Sequence, residues 1–129
     1  MARKPSGELP FAEFFEGETD VSVRAKILTK IEHGSRFRPE QLRRPLADTL
    51  EGRVKELRFG QIRILFSLEV EDGLWLLLGG ERKKADDVSP SLIREAAGLR
   101  ERWVASRDGK ELDISALKKR ISRKSIRWP

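Results

Sequence analysis

Hydrophobic positions in the first part of the chain recur at helical spacing. Phe11, Phe14 and Phe15 stand at i, i+3 and i+4 and predict a short helix over Phe11–Glu16. Asp20 is placed to cap a second helix from Val21 to His33, with Val23, Ile27, Leu28 and Ile31 as its apolar stripe and Gly34 as its stop. A basic, proline-punctuated segment follows from Arg36 to Pro45, in which Pro39 is placed to start a short helical turn leading to Leu42 and Leu46. The period then changes. Arg53–Phe59, Gln61–Leu68 and Leu74–Gly80 are rich in Val, Ile, Leu, Phe and Trp, and are broken at Gly60 and at Glu71-Asp72-Gly73, where Asp-Gly is a strong hairpin signal. Ile62, Ile64, Phe66 and Leu68 alternate with other residues, whereas Leu74 to Leu78 is apolar throughout, the pattern of a central strand. Ser89-Pro90 opens a helix from Ser91 to Val104 carrying Leu92, Ile93, Ala96, Leu99 and Trp103. After Asp108-Gly109, Ile114, Leu117 and Ile121 form one more amphipathic stretch against Lys118, Lys119 and Arg120. The pattern is helices, an antiparallel meander, a helix and a tail: an α+β chain.

Composition narrows the class. With 129 residues, 38% hydrophobic and 37% charged, the chain has the size of one domain with a modest core under a charged surface. The absence of cysteine removes disulfides, thiolate nucleophiles and Cys-based metal sites together. No apolar run approaches the roughly 20 residues needed to span a bilayer, and the first residues lack a signal-peptide core, so a cytoplasmic protein without a membrane partner is expected. The net charge of +6 is unevenly distributed. Residues 105–129 hold eight Lys/Arg and three acids, a net +5, leaving +1 for residues 1–104. The division expected is therefore a domain over 1–104 and a basic extension over 105–129. Such a tail attracts nucleic acid or an acidic partner, or is simply solvated.

Residues 50–97 contain four short patterns in order: Gly52 with Glu56-Leu57-Arg58, Arg63-Ile64-Leu65-Phe66, Lys83-Lys84 after an apolar strand and two glycines, and a helix opening at a proline. With Val23-Arg24-Ala25-Lys26-Ile27-Leu28 upstream, the stretch over residues 11–104 resembles the phage Gp49-like, HigB-type branch of the RelE/ParE toxin superfamily. The resemblance implies N-terminal helices packed on a small twisted antiparallel sheet, a RelE-like fold. It also implies a toxin of a type II toxin–antitoxin system, an endoribonuclease acting on mRNA at the ribosome. The partner it implies is a helix-turn-helix antitoxin; the oligomeric state stays open. ParE-type cousins share the fold but bind DNA gyrase, so the alternatives are a non-enzymatic gyrase binder and a non-toxic module that binds nucleic acid or antitoxin. The sequence departs from the family pattern in having no tyrosine. Gln61 and Phe66 stand where tyrosines are common, and there is little room before Phe11 for the family's opening strand.

The residues carry their own argument. A tight turn at Gly60 that pairs Phe59 with Ile62 sets Leu57 against Ile64 on one face and Arg58 against Arg63 on the other. Like charges directly opposite each other destabilise a sheet, so the pair needs compensation. An anion would supply it, because two guanidiniums forking onto one phosphate stabilise the charge of a phosphoryl-transfer transition state. Glu56, two residues before Arg58 on the same face, supplies the alternative: a salt-bridge network. The resemblance weighs toward phosphate. Arg82, Lys83 and Lys84 end the third predicted strand and flank the same place, with Arg53 and Lys55 on its approach; a solvated strand end that blocks aggregation is the alternative. Lysines crowded by cations lose protons more easily, which makes Lys83 the candidate general base on the RNA 2′-hydroxyl. That reaction needs a base, an acid and charge stabilisation, and neither a metal nor another cofactor is expected. Lys118, Lys119 and Arg120 are candidate RNA contacts in the tail. His33 fits a helix C-terminus. Trp75 and Trp103 fall in core patterns, while Trp128 is open to base stacking, packing on its own domain or antitoxin contact.

Overall fold

The computed structural model describes residues 1–36, 47–83 and 88–124. The helix α1 spans Pro10–Gly17, starting at the proline that lacks the N–H a first turn leaves unused, and buries Phe11 and Phe15. Asp20 caps α2 (Val21–Ser35), its carboxylate accepting from the N–H groups of Ser22 and Val23. Four strands follow: β1 (Ala47–Glu51), β2 (Val54–Phe59), β3 (Ile62–Glu69) and β4 (Leu74–Arg82). They form one antiparallel sheet in the order β1-β2-β3-β4. Gly60, at φ +54°, takes the left-handed turn between β2 and β3. A 3-10 turn at Val70–Asp72 closes on left-handed Gly73 and joins β3 to β4. The helix α3 (Pro90–Ser106) and the helix α4 (Ile114–Lys124) complete the chain.

The sheet is buried on both faces. Leu57, Ile62, Ile64, Phe66 and Leu77 meet Phe11 and Phe15 of α1, Ile27, Leu28 and Ile31 of α2, and Ile121 of α4. On the opposite face Val54, Leu65, Leu76 and Leu78 meet Ala96, Leu99 and Trp103 of α3. The result is a RelE-like α+β architecture, as expected. The amphipathic stretch of the tail is α4, and its Ile121 belongs to the same core as α1 and α2.

Three local expectations are corrected. The run Leu74–Leu78 is an edge strand, paired with β3 alone among the strands. From Leu76 to Leu78 it is apolar because helices cover both its faces, not because strands flank both its edges, while Leu74 at its start is exposed. β1 was not anticipated; its sequence, Ala-Asp-Thr-Leu-Glu, lacks an apolar alternation, and pairing with β2 defines it. Gly34 does not stop α2 but lies inside it. A Cβ there would come within 2.6 Å of the Trp75 ring, so the missing side chain makes the notch that receives the indole. Trp75 in turn stacks on Phe66, with centroids 4.0 Å apart and planes 7° from parallel. The segment containing Pro39, Leu42 and Leu46, together with Lys84 and Trp128, lies outside the described residues.

Gly34→Ala separates the two roles of this glycine. As a plain helix substitution it would stabilise by about 1 kcal/mol. Against the indole it forces repacking, and a net loss of about 1 kcal/mol is expected from overpacking. Urea unfolding of the two proteins gives the sign, and an unchanged or higher midpoint would exclude the notch as a constraint.

Candidate functional site

The register of β2 and β3 sets Arg58 directly against Arg63, with Phe59 against Ile62 and Leu57 against Ile64. The next partner across, on β4, is Glu81, opposite Arg63. By strand alternation Glu56, Arg58, Arg63, Leu65, Ser67 and Glu69 share the face covered by α3. This is a charged face under a helix: Glu56 is 1% exposed, Arg63 3%, and Ser67 and Glu69 are buried with them.

Each member has a specific setting. Arg58 Nη2 donates to Glu56 Oε1 at 2.8 Å, while a third of the arginine side chain stays open to solvent. The second carboxylate oxygen of Glu56 is buried and accepts no hydrogen bond among the described residues. Arg63 Nη1 donates to the carbonyls of Gly60 at 2.7 Å and Ile62 at 3.0 Å, bracing the turn. Glu81 accepts from the N–H and hydroxyl of Ser89, at 3.1 and 2.8 Å. Ser89 stands at the N-cap of α3, yet its side chain ties the helix to β4 instead of capping it. At the far end of the face Glu69 receives a two-point contact from Arg100 of α3, both bonds 2.9 Å, and a 2.6 Å bond from the Ser67 hydroxyl. Burial alone would raise the Glu69 carboxyl, but the bonds from Arg100 and Ser67 outweigh it and hold the pKa below the ordinary value.

The expected site residues fall in three places. Arg58, Arg63, Arg82 and Lys83 gather at the Gly60 end of the sheet, where the Lys83 N–H donates to the Gln61 carbonyl at 2.7 Å. Arg82 faces the other side, opposite Ile62, and pairs with Glu18 at the end of α1 at 2.6 Å. Arg53 lies before the start of β2, at the opposite end of that strand, close enough to Glu69 to lower its pKa. Lys55, three residues before Arg58, points to the opposite face by alternation. Lys118, Lys119 and Arg120 lie on α4, in the helix layer over that opposite face; Lys118 binds Glu32 of α2 at 2.9 Å, while Lys119 and Arg120 are exposed. The lone His33 is exposed in the last turn of α2. The Glu69–Arg100 pair and the Glu81–Ser89 contact escaped the reading of the sequence. Among the described residues no group of three or more His, Cys, Asp and Glu side chains is placed to hold a metal ion, and no helix is long and apolar enough to cross a membrane.

Two N-terminal helices, an antiparallel meander with a charged face, and a helix closing that face define the scaffold of a RelE/ParE-like toxin. The chain belongs to the phage-derived Gp49-like protein family (DUF891), whose profile matches residues 17–101; this family is part of the HigB-type branch of that superfamily. Its toxins are generally paired with an antitoxin. No curated protein matches the chain.

The buried pair has a testable cost. Glu69→Gln leaves Arg100 without its countercharge and is expected to lower stability by about 3 kcal/mol at pH 7. Because the folded pKa is depressed, the ionised carboxyl stabilises the fold above 4.5, its ordinary value, and that contribution is lost as pH falls through the folded pKa. Denaturant unfolding at pH 7 and pH 3 should show the gap between wild type and variant narrowing in acid. A constant gap would mean that the charge is not what matters.

Proposed function

We propose that this chain is the toxin of a type II toxin–antitoxin pair and that it cleaves mRNA on the ribosome by metal-independent attack of a 2′-hydroxyl. The observation that carries the reading is the cationic end of the sheet around Gly60, in a chain of the Gp49-like family. Arg58 retains an open third of its side chain there, and Lys83 is half-buried at the end of β4. In this reading Arg58 holds the scissile phosphate, Lys83 takes the 2′-hydroxyl proton, and Arg63 keeps the turn and the neighbouring guanidinium in place. Arg82, on the other face beside Glu18, and Lys84 are further candidate RNA contacts in this reading. Arg53, Lys55, Lys118, Lys119 and Arg120 serve as outlying contacts to the RNA backbone. A cytoplasmic location and a helix-turn-helix antitoxin belong to the same reading.

A second reading is favoured by a specific observation: Glu56 already neutralises Arg58, Arg63 braces its own turn, and the chain has no tyrosine. Such a face suits a binding module, either a ParE-like gyrase binder or a non-toxic relative that binds antitoxin or nucleic acid.

Expression in a bacterial host distinguishes them. The nuclease reading expects growth arrest with shortened mRNAs, and a loss of cleavage of about 100-fold or more in Lys83→Ala. Arg58→Ala alone strands the buried Glu56 charge, so it is paired with Glu56→Gln, which removes that charge while still lacking the guanidinium; the double variant should fold and fail to cleave. DNA damage with intact mRNAs would identify the gyrase binder, and harmless accumulation without an antitoxin the non-toxic module. Outlying contacts have a separate signature. Lys119→Ala with Arg120→Ala should lower RNA affinity and reduce the log–log salt slope by about 1 for each phosphate that α4 then fails to reach. An unchanged slope removes α4 from the interface.

A further inference from the structure

The last residues of β4 are tied one after another to different elements. Glu81 accepts from the hydroxyl of Ser89 at 2.8 Å and from its N–H at 3.1 Å. Arg82, on the other face, binds Glu18 at the end of α1 at 2.6 Å. The Lys83 N–H donates to the Gln61 carbonyl at 2.7 Å, and Gln61 belongs to the turn that Arg63 braces through the carbonyls on either side of it. Three consecutive residues are thus fastened to α3, to the end of α1 and to the turn between β2 and β3.

The backbone just before them explains why fastening is needed. Leu65 pairs with Gly79 and Phe66 with Leu77, which leaves Leu78 as a bulge. Gly79, at φ +154°, and Gly80 follow it. Glycine restricts its own backbone least, so a strand end beyond a bulge and two glycines has little stiffness with which to aim a side chain. Lys83 stands at that end, two positions beyond Glu81 and by alternation on the face that carries Arg58 and Arg63. The partner of Glu81 is also unusual. Ser89 occupies the N-cap of α3, where serine ordinarily accepts from an N–H of the first turn. No such bond forms among the described residues, and the hydroxyl is turned to Glu81 instead. The bond joins residues eight positions apart, on either side of Lys83, and the neighbour of Ser89, Val88, is buried under α3.

We propose that Glu81 and Ser89 are positioning residues for Lys83, their bond fixing the direction in which the end of β4 presents the lysine on the Arg58 face. The role in a reaction rests on the nuclease reading; the fixing of Lys83 does not. Glu81 serves here as the acceptor of two hydrogen bonds and neither takes nor gives a proton. Displacing a reacting group by about 1 Å costs on the order of 100-fold in rate, so a loosened Lys83 slows the chemical step. Contacts that hold the RNA elsewhere are left in place, and the effect falls on kcat rather than KM.

The test compares the full chain with Glu81→Ala and Ser89→Ala, which weaken or remove the bond, and with Glu81→Gln and Ser89→Thr, which keep an acceptor and a hydroxyl. Hydrogen exchange of the Lys83 amide, read without RNA, should quicken at least about tenfold in the alanine variants and stay within about twofold of wild type in the other two. On ribosomes carrying mRNA the alanine variants should lose about tenfold or more in kcat with KM changed less than about twofold, and the conservative variants should recover most of that loss. Should Glu81→Ala fail to fold, Ser89→Ala, which retains the N–H bond, carries the comparison. A Lys83 amide that exchanges no faster in the alanine variants overturns the proposal, and so does a quickened amide with an unchanged kcat. Glu81→Gln as impaired as Glu81→Ala overturns it as well, because the charge of Glu81 would then be what acts. A wild type that cleaves nothing removes the nuclease reading, while the exchange rates still decide whether the bond fixes Lys83.

Discussion

Beneath α3 lies a sheet face carrying Glu56, Arg58, Arg63, Ser67 and Glu69, and the arrangement of the molecule follows from keeping those groups satisfied out of water. Removing a charge from solvent costs several kcal/mol unless a partner and hydrogen bonds replace the lost hydration. The chain answers that demand with contacts that join two elements, Glu69 to Arg100 and Glu81 to Ser89, and with one that closes a turn, Arg63 to Gly60. The Arg58–Glu56 pair lies within β2 and leaves one carboxylate oxygen and the Arg58 Nε without a hydrogen bond among the described residues. Hydrophobic packing alone would let α3 slide over Val54, Leu65, Leu76 and Leu78, because apolar contact is non-directional. The carboxylates at the two ends of the sheet permit one placement, since each must meet its own donor. Specificity of docking, more than net stability, is what this layer contributes.

The same layer links fold to chemistry. A guanidinium bonded to a buried carboxylate is held in one orientation before any ligand arrives, and preorganised positive charge of that kind is what the proposed phosphoryl transfer would draw on. It is equally what a rigid structural network looks like. The superfamily uses one scaffold for different ends, so the face itself does not choose between cleavage and binding.

Where the sequence was legible, the reason is local. Phe11, Phe14 and Phe15, the Asp20 cap, and the turns at Gly60 and Gly73 state their conformations within a few residues, and the Gly60 turn was enough to place Arg58 across from Arg63. Both possible companions of that pair were visible as well, since Glu56 is only two positions away. What was hidden depends on distant partners. Glu69 and Arg100 are 31 positions apart, and nothing in either neighbourhood announces the other. Gly34 looked like a helix stop because glycine usually is one there; only the arrival of Trp75, from another element, shows it as a notch. The apolar run of β4 reported that its two faces are covered, but hydrophobicity is blind to whether a strand's edges are paired. Lys118 was counted with the basic tail, whereas Glu32, which engages it, lies on α2; Arg82 and Glu18 fell in one charge count, which does not record that residues 64 positions apart are paired.

The brace formed by Arg63 on its own turn has a mechanical implication. One nitrogen gripping the carbonyls at 60 and 62, with the Lys83 N–H fastened to Gln61 from the neighbouring strand, leaves the tip of the hairpin little freedom to bend. A molecule arriving at this end meets an anvil, not a jaw: accommodation has to come from the visitor. A splayed single strand can bend to such a surface, while a stiff duplex would touch it at few points.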